Sequence, residues 1–97
     1  MFECRRYRID VFSCRPEKYH VTVEPIAYVG KQEFKRYMQL CRRNFMTQAK
    51  KWGWFRTFNS EKDATHFARY LARSLGELVF LSENEMQIVT PKQEGKA

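Results

Sequence analysis

Residues 31–58 read KQEFKRYMQLCRRNFMTQAKKWGWFRTF and carry eight basic side chains against one acidic side chain. The rest of the chain holds ten basic and ten acidic side chains, so the net charge of +7 lies entirely in this segment. Apolar residues recur in it at three- and four-residue spacing, which predicts an amphipathic helix over residues 31–52. Gly53 is predicted to end the helix, and residues 54–58 are predicted to form a strand.

Two stripes run along this predicted helix. One is apolar and suited to packing on a sheet, and the other is basic, repeats every seven residues and is predicted to face solvent. The apolar stripe contains Phe34, Tyr37, Met38, Cys41, Phe45, Ala49 and Trp52, and the basic stripe contains Arg36, Arg43 and Lys50.

The N-terminal part of the chain predicts an antiparallel hairpin. Polar and apolar residues alternate over residues 5–12, which is typical of a half-buried strand. Residues 15–18 contain Pro16 and predict a turn. A second alternating run starts at residue 19, and Pro25 within it marks an edge, a bulge or the end of a strand, after which the pattern resumes at Ile26 and Tyr28.

A second helix is predicted to begin after Ser60. Ser60 as N-cap with Asp63 three residues later forms a capping-box pattern, and Gly76 is predicted to end the helix. The apolar face contains Ala64, Phe67, Ala68, Leu71, Ala72 and Leu75, whereas the outer face carries a secondary basic face of Lys62, His66, Arg69 and Arg73.

Two further strands are predicted at residues 78–82 and 86–90, joined by a tight turn at residues 83–85. The resulting order β-β-α-β-α-β-β favours a single two-layer α+β domain, with two helices packed on a mainly antiparallel sheet. We expect this domain to comprise residues 1–90 and residues 91–97 to form a flexible C-terminal tail, because the tail has no apolar side chain large enough to bury.

The composition predicts an intracellular protein. The N-terminus lacks the apolar region of a secretory signal, and no apolar run approaches the roughly 20 residues that cross a bilayer. Three cysteines, Cys4, Cys14 and Cys41, leave at least one thiol unpaired, which fits a reducing compartment. All three are expected to be small buried hydrophobic residues.

No catalytic or metal-binding pattern emerges from the sequence. His20 and His66 have no cysteine or histidine at metal-ligand spacing, and the four glycines are too scattered for a phosphate-binding loop. Asp10 and Glu24 can meet across the first hairpin as a carboxylate pair, but solvent-facing charges beside Arg8 and Lys18 are the simpler interpretation. We therefore expect a protein that is not an enzyme and uses no cofactor or metal.

Two classes of partner suit the basic segment. Lysine and arginine along a helix contact phosphates, and exposed aromatic rings stack on unpaired bases. Tryptophan, methionine and arginine are also enriched in protein interfaces. The alternative to both binding hypotheses is that the basic helix face is simply solvated and the aromatic residues belong to the core. The candidate partner-binding residues are Lys35, Arg36, Arg42, Arg43, Met46, Lys50, Lys51, Trp52, Trp54 and Arg56.

The whole chain resembles the small accessory proteins that bacteriophages direct against host DNA-processing and defence complexes. It shares with them a single small domain, a basic balance, reduced cysteines and a lack of catalytic groups. In size and in segment 31–58 it is most similar to phage anti-RecBCD proteins, and anti-CRISPR proteins are the neighbouring group.

This resemblance implies a non-enzymatic modulator that binds a large host complex acting on DNA, in the cytoplasm of a bacterial cell. The complex would be a RecBCD-like nuclease-helicase or, as an alternative, a CRISPR effector complex. Direct binding of DNA or RNA is the other alternative. The resemblance transfers no individual residue.

Overall fold

The computed structural model describes the backbone of residues 2–50 and 52–96 and the side chains of residues 5–50 and 52–84. The described chain forms an antiparallel sheet and two helices. In chain order the elements are β1 (Phe2–Cys4), β2 (Tyr7–Arg15), β3 (Lys18–Pro25), α1 (Lys31–Arg43), β4 (Thr47–Gln48), β5 (Trp54–Phe58) and α2 (Glu61–Lys96).

The predicted N-terminal hairpin is confirmed and lies in the middle of the sheet. The strand order is β1-β2-β3-β5-β4, with every neighbouring pair antiparallel. Pro16 and Glu17 form the turn between β2 and β3, and Glu17 adopts a left-handed backbone with φ of 63°. β3 ends at Pro25, whose missing N–H cannot continue the ladder.

Alternation along the strands gives the sheet two different faces. The covered face is buried together with both helices, and it includes Tyr7, Ile9, Val21, Val23 and Trp54. The open face lies on the other side and consists of Arg8, Asp10, Phe12, His20, Thr22, Glu24, Phe55 and Thr57, all of them exposed or half-buried.

The first half of α2 follows the sequence prediction. Asp63 donates its backbone N–H to the Ser60 hydroxyl, which caps the helix N-terminus. The predicted apolar face packs on the covered face of the sheet, where each buried leucine or phenylalanine side chain contributes roughly 1.5–3 kcal/mol. The buried members are Ala64, Phe67, Ala68, Leu71 and Leu75, and Ala72 is half-buried beside them.

The first helix is shorter than predicted, since α1 ends at Arg43 and not at residue 52. The Asn44 side chain donates to the Leu40 carbonyl oxygen at 2.8 Å, and Phe45 then turns into a left-handed backbone with φ of 60°. The chain next forms β4, which the sequence did not predict and which pairs with β5. Gly53 lies in the turn between these strands. The predicted basic stripe, whose members repeat every seven residues, therefore does not form one helix face.

The predicted C-terminal hairpin is wrong, because residues 78–82 and 86–90 lie within α2. Leu78 and Val79 are buried and continue the spacing of Leu71 and Leu75, whereas Phe80 and Leu81 are exposed. A glycine inside a helix costs only about 1 kcal/mol relative to alanine, so Gly76 does not stop it. The coarser prediction of an α+β chain with an antiparallel sheet and two helices is confirmed.

The predicted domain boundaries and the predicted two-layer packing stay predictions. The backbone of residues 91–96 belongs to α2, whereas Ala97 and the side chains of this segment lie outside the described residues.

Candidate binding site around Trp52

An apolar pocket of about 350 Å³ lies between the end of β3 and the beginning of α1. The chain leaves the sheet at Pro25, and the Ile26 N–H donates to the Arg6 carbonyl oxygen at 2.9 Å. Gly30 then precedes the first turn of α1. The pocket is lined by Pro25, Ala27, Tyr28, Val29, Lys31, Phe34 and Trp52.

Trp52 forms one wall of this pocket and stays 59% exposed. Its indole meets the Phe34 ring edge-on, with centroids 5.4 Å apart and the planes at 89°. The Tyr37 hydroxyl lies 2.7 Å from the Trp52 carbonyl oxygen and 3.3 Å from that of Val23. Burial raises the pKa of Tyr37, which keeps this hydroxyl protonated as a donor. The backbone beneath the exposed indole is therefore fixed to α1.

A buried ion pair holds the first turn of α1 to the sheet. Glu33 is 3% exposed, accepts a hydrogen bond from the Tyr7 hydroxyl at 2.8 Å and pairs with Arg6 at 3.2 Å. Arg6 lies in the turn between β1 and β2, with φ of 72°. Because Glu33 is buried, hydrogen-bonded by Tyr7 and paired with Arg6, it orients the first turn of α1 and with it the pocket.

Exposed cations lie along α1, from its first residue to its last turn, and in the chain after β4. We call them the basic rim, and they are set on the helix and on the loop that follows β4. The basic rim consists of Lys31, Lys35, Arg42, Arg43 and Lys50, all of which are exposed. Four of these, all but Lys31, were predicted as partner-binding residues.

Other predicted partner-binding residues belong to the interior. Met46 and Trp54 are buried in the core, with Trp54 only 5% exposed. Arg36 is half-buried, which differs from its predicted place on a solvent-facing stripe. Lys51 lies outside the described residues. Trp52 is thus the predicted tryptophan that remains at the surface.

Arg56 also lies on the helix-covered side of the sheet. Its guanidinium stands 4.8 Å from the Phe58 ring centroid and 5.0 Å from that of Phe67, and it donates to the Asn44 carbonyl oxygen at 3.1 Å. Stacking between two rings and bonding to the end of α1 gives Arg56 a structural role.

The secondary basic face is exposed as predicted. Its residues lie along the first half of α2 at helical spacing, on the side away from the sheet. They are Lys62, His66, Arg69 and Arg73.

Sequence reasoning missed the pocket, although it noted some of the residues beside it. Ile26 and Tyr28 after Pro25 were interpreted as a continuing strand, but both are exposed in the loop before α1. The available signal was Pro25 itself, because two large apolar side chains after a strand-ending proline have no sheet to pack on.

The two cysteines whose side chains the structure describes lie outside this site and differ in exposure. Cys14 is exposed, contrary to the prediction, because the strand bulge near the end of β2 places it at the hairpin tip. Cys41 is buried as predicted, and burial raises the pKa of its thiol to about 12. The side chain of Cys4 lies outside the described residues.

The carboxylates considered in the sequence do not face each other. Glu24 lies opposite Arg8 and pairs with it at 3.7 Å, whereas Asp10 lies opposite Thr22. Among the residues that the structure describes, no three His, Cys, Asp or Glu side chains are grouped to hold a metal ion. In the same residues, no helix combines the length and apolar content that a membrane crossing requires.

No protein-family model matches the chain, and no curated protein and no solved structure is significantly similar to it. Inference about the function of this protein therefore rests on the geometry of the site.

Proposed function

We propose that this protein is a non-enzymatic modulator of the phage type, which binds a host nuclease-helicase complex resembling RecBCD inside the bacterial cell. Trp52 and the pocket beside it make the anchoring contact, and the basic rim contacts acidic groups around it. The protein acts by covering a channel or a recognition surface of the complex.

The observation that carries this proposal is the exposed Trp52 indole on a fixed support. Tryptophan is the residue type most enriched among interface hot spots, where it fills or forms a pocket at the centre of the contact. Here the Phe34 ring and the Tyr37 hydrogen bond already order Trp52, so binding costs little side-chain entropy. Tyr28 is 86% exposed beside it and enlarges the apolar contact.

The basic rim supports an acidic partner. Lys31 lines the pocket itself, and Lys35 lies one helical turn further along α1. Exposed cations of one sign accelerate association with an acidic surface and fix its orientation, whereas the apolar anchor determines how long the complex lasts. Acidic side chains on the surface of the host complex would therefore meet the basic rim around the Trp52 contact.

The test is a binding assay between the tagged protein and purified RecBCD. The wild-type protein is expected to bind the complex and change its nuclease or helicase activity. Trp52→Ala is expected to weaken binding about thirtyfold or more, because truncating a hot-spot tryptophan removes about 2 kcal/mol or more. Phe80→Ala is the matched control, since Phe80 is 63% exposed on α2, away from the pocket.

The charge contribution is measured separately by association rates at two salt concentrations. Lys35→Glu is expected to slow association at low salt, and Arg73→Glu on the secondary basic face is expected to slow it less. Failure of the wild-type protein to bind RecBCD would contradict the proposed target. Capture of a CRISPR effector complex in its place would favour the anti-CRISPR alternative.

A further inference from the structure

The open face of the sheet carries a row of aromatic rings that neither α1 nor α2 covers in the part of the chain whose side chains the structure describes. Phe12 on β2, His20 on β3 and Phe55 on β5 form this aromatic row across three neighbouring strands. The Phe12 and His20 ring centroids are 5.5 Å apart, and those of His20 and Phe55 are 5.4 Å apart. Phe12 remains 48% exposed, so part of its surface is accessible to a ligand.

The aromatic row stands on a rigid base. The strands beneath it form the centre of the sheet, and their opposite side chains, such as Val21 and Val23, are fully buried in the core. The Thr57 hydroxyl lies 3.2 Å from Nδ1 of His20 and restrains the imidazole. A ligand that stacks on these rings therefore meets side chains that are already ordered.

Charged groups are distributed unevenly around the aromatic row. Lys18 lies two residues before His20 on the same side of β3. Arg15 on β2 lies directly opposite Lys18. The Lys18 ammonium donates a hydrogen bond to Asn59 Oδ1 at 2.7 Å. At the other end of the open face, Arg8 pairs with Glu24. The hairpin end thus carries Arg15 and Lys18 beside the rings, with Glu17 between them in the turn, and a phosphate backbone can pass along the two cations.

We infer that the open face binds single-stranded nucleic acid, with unpaired bases stacking on the aromatic row and phosphates contacting Arg15 and Lys18. Bases stack on aromatic side chains whatever their sequence, because each base has a π face. Asp10 on the same face can accept a hydrogen bond from a base amino group.

A protein partner fits this face less well. A stable protein interface buries about 800 Å² on each side, which is more than one exposed ring, two half-buried rings and their threonine neighbours provide. Flat rings next to hydroxyl groups and a cationic end match the chemistry of a base followed by its phosphate. The proposal uses none of the residues around Trp52 and does not depend on the function proposed for them.

The experiment measures binding of a short fluorescein-labelled oligothymidylate by fluorescence anisotropy at low salt. We expect the wild-type protein to bind this single strand more tightly than a duplex of the same length, because both faces of a duplex base are already stacked. Phe12→Ala is expected to weaken single-strand binding about tenfold, whereas Phe12→Tyr retains it. Phe80→Ala, which removes an exposed ring from α2, is the matched control and is expected to bind as the wild type.

Two further variants separate stacking from apolar area and from charge. Phe12→Leu keeps an apolar side chain but loses the ring, so it is expected to bind as weakly as Phe12→Ala and also serves if the alanine variant does not fold. Arg15→Gln is expected to lower the slope of log affinity against log salt by about 0.7, the contribution of one phosphate contact on a single strand.

Absence of single-strand binding by the folded wild-type protein would overturn the inference. Equal binding of single strand and duplex, or full affinity of Phe12→Leu, would also overturn it. So would a protein complex whose capture requires Phe12 while the oligonucleotide does not bind. Far-ultraviolet circular dichroism of each variant establishes that the fold is retained.

Discussion

The two faces of one sheet carry similar residues and have opposite surroundings. The covered face holds Tyr7 and Trp54, both buried against the helices. The open face holds Phe12 and Phe55 on strands that run through the same hydrogen-bonded ladder. Aromatic content therefore does not separate core from surface in this protein. Coverage by α1 and α2 separates core from surface. The covered face contributes to stability, and the open face stays accessible for binding.

The tryptophan pair shows the same contrast over three residues of chain. Trp54 starts β5 and points into the covered face, where it is 5% exposed. Trp52 precedes the strand. Its carbonyl oxygen accepts a hydrogen bond from the buried Tyr37 hydroxyl, whereas its indole stays at the surface. Their side chains therefore have different energetic roles, although the sequence presents them as a pair.

The largest effect that tests this contrast is expected from the two tryptophans. Trp54→Ala should lower the free energy of unfolding by about 3–5 kcal/mol, because it leaves a cavity in the core. Trp52→Ala should lower it by less than about 1.5 kcal/mol, since the indole contacts mainly Phe34 and solvent. Urea denaturation of both variants measures the difference. Equal losses of stability would contradict the assignment of Trp52 to the surface.

A second effect on stability is expected from pH, and it concerns two buried side chains of α1 that belong to the core under the covered face. Burial raises the pKa of Cys41 from 9.0 to about 12, and it raises the pKa of Tyr37 above its usual value of 10.0. In this range the unfolded chain loses protons that the folded chain keeps, so stability falls as pH rises from 9 toward 12. The slope for each group is at most about 1.4 kcal/mol per pH unit.

Urea denaturation across this pH range, with Cys41→Ala as comparison, measures the contribution of the thiol. In the variant the decline should begin nearer pH 10, where Tyr37 of the unfolded chain starts to ionise. A decline that begins at the same pH in both proteins would exclude Cys41 as its source.

The smallest effect on stability is expected on the open face. Phe12→Ala should lower the free energy of unfolding by at most about 1 kcal/mol, the range for a cross-strand side-chain pair, because its main neighbour is the His20 ring. Thermal unfolding of this variant beside Ile9→Ala, on the covered face of the same strand, measures the contrast. A loss as large as that of Ile9→Ala would indicate that the open face is covered.

Part of the fold was predictable because local patterns and tertiary contacts agree. The β2–β3 hairpin, the strand at residues 54–58 and the capped first half of α2 each have a periodic pattern with a turn or cap at its end. The prediction was wrong where two local signals competed. The apolar spacing past Arg43 predicted a helix, but this segment forms a strand in which Thr47 pairs with Phe55. The β-branched and aromatic run after Gly76 predicted a strand, but it continues α2 because Leu78 and Val79 are buried there.

The candidate site was predictable in its charge but not in its shape. The sequence places the excess cations in residues 31–58, and five exposed side chains there form the basic rim. The pocket brings Pro25 and Tyr28 next to Phe34 and Trp52, which lie on separate elements. No periodicity within one element indicates such a contact.

The sequence by itself determined the net charge, the hairpin, the helix cap and the alternation of side chains along each strand. These depend on neighbours within a few residues, so local physical rules are sufficient for them. Only the tertiary structure decided that Trp52 points out while Trp54 points in, and that Phe12, His20 and Phe55 stay uncovered. The pleat divides side chains between two faces, but which face loses its water depends on where distant helices pack.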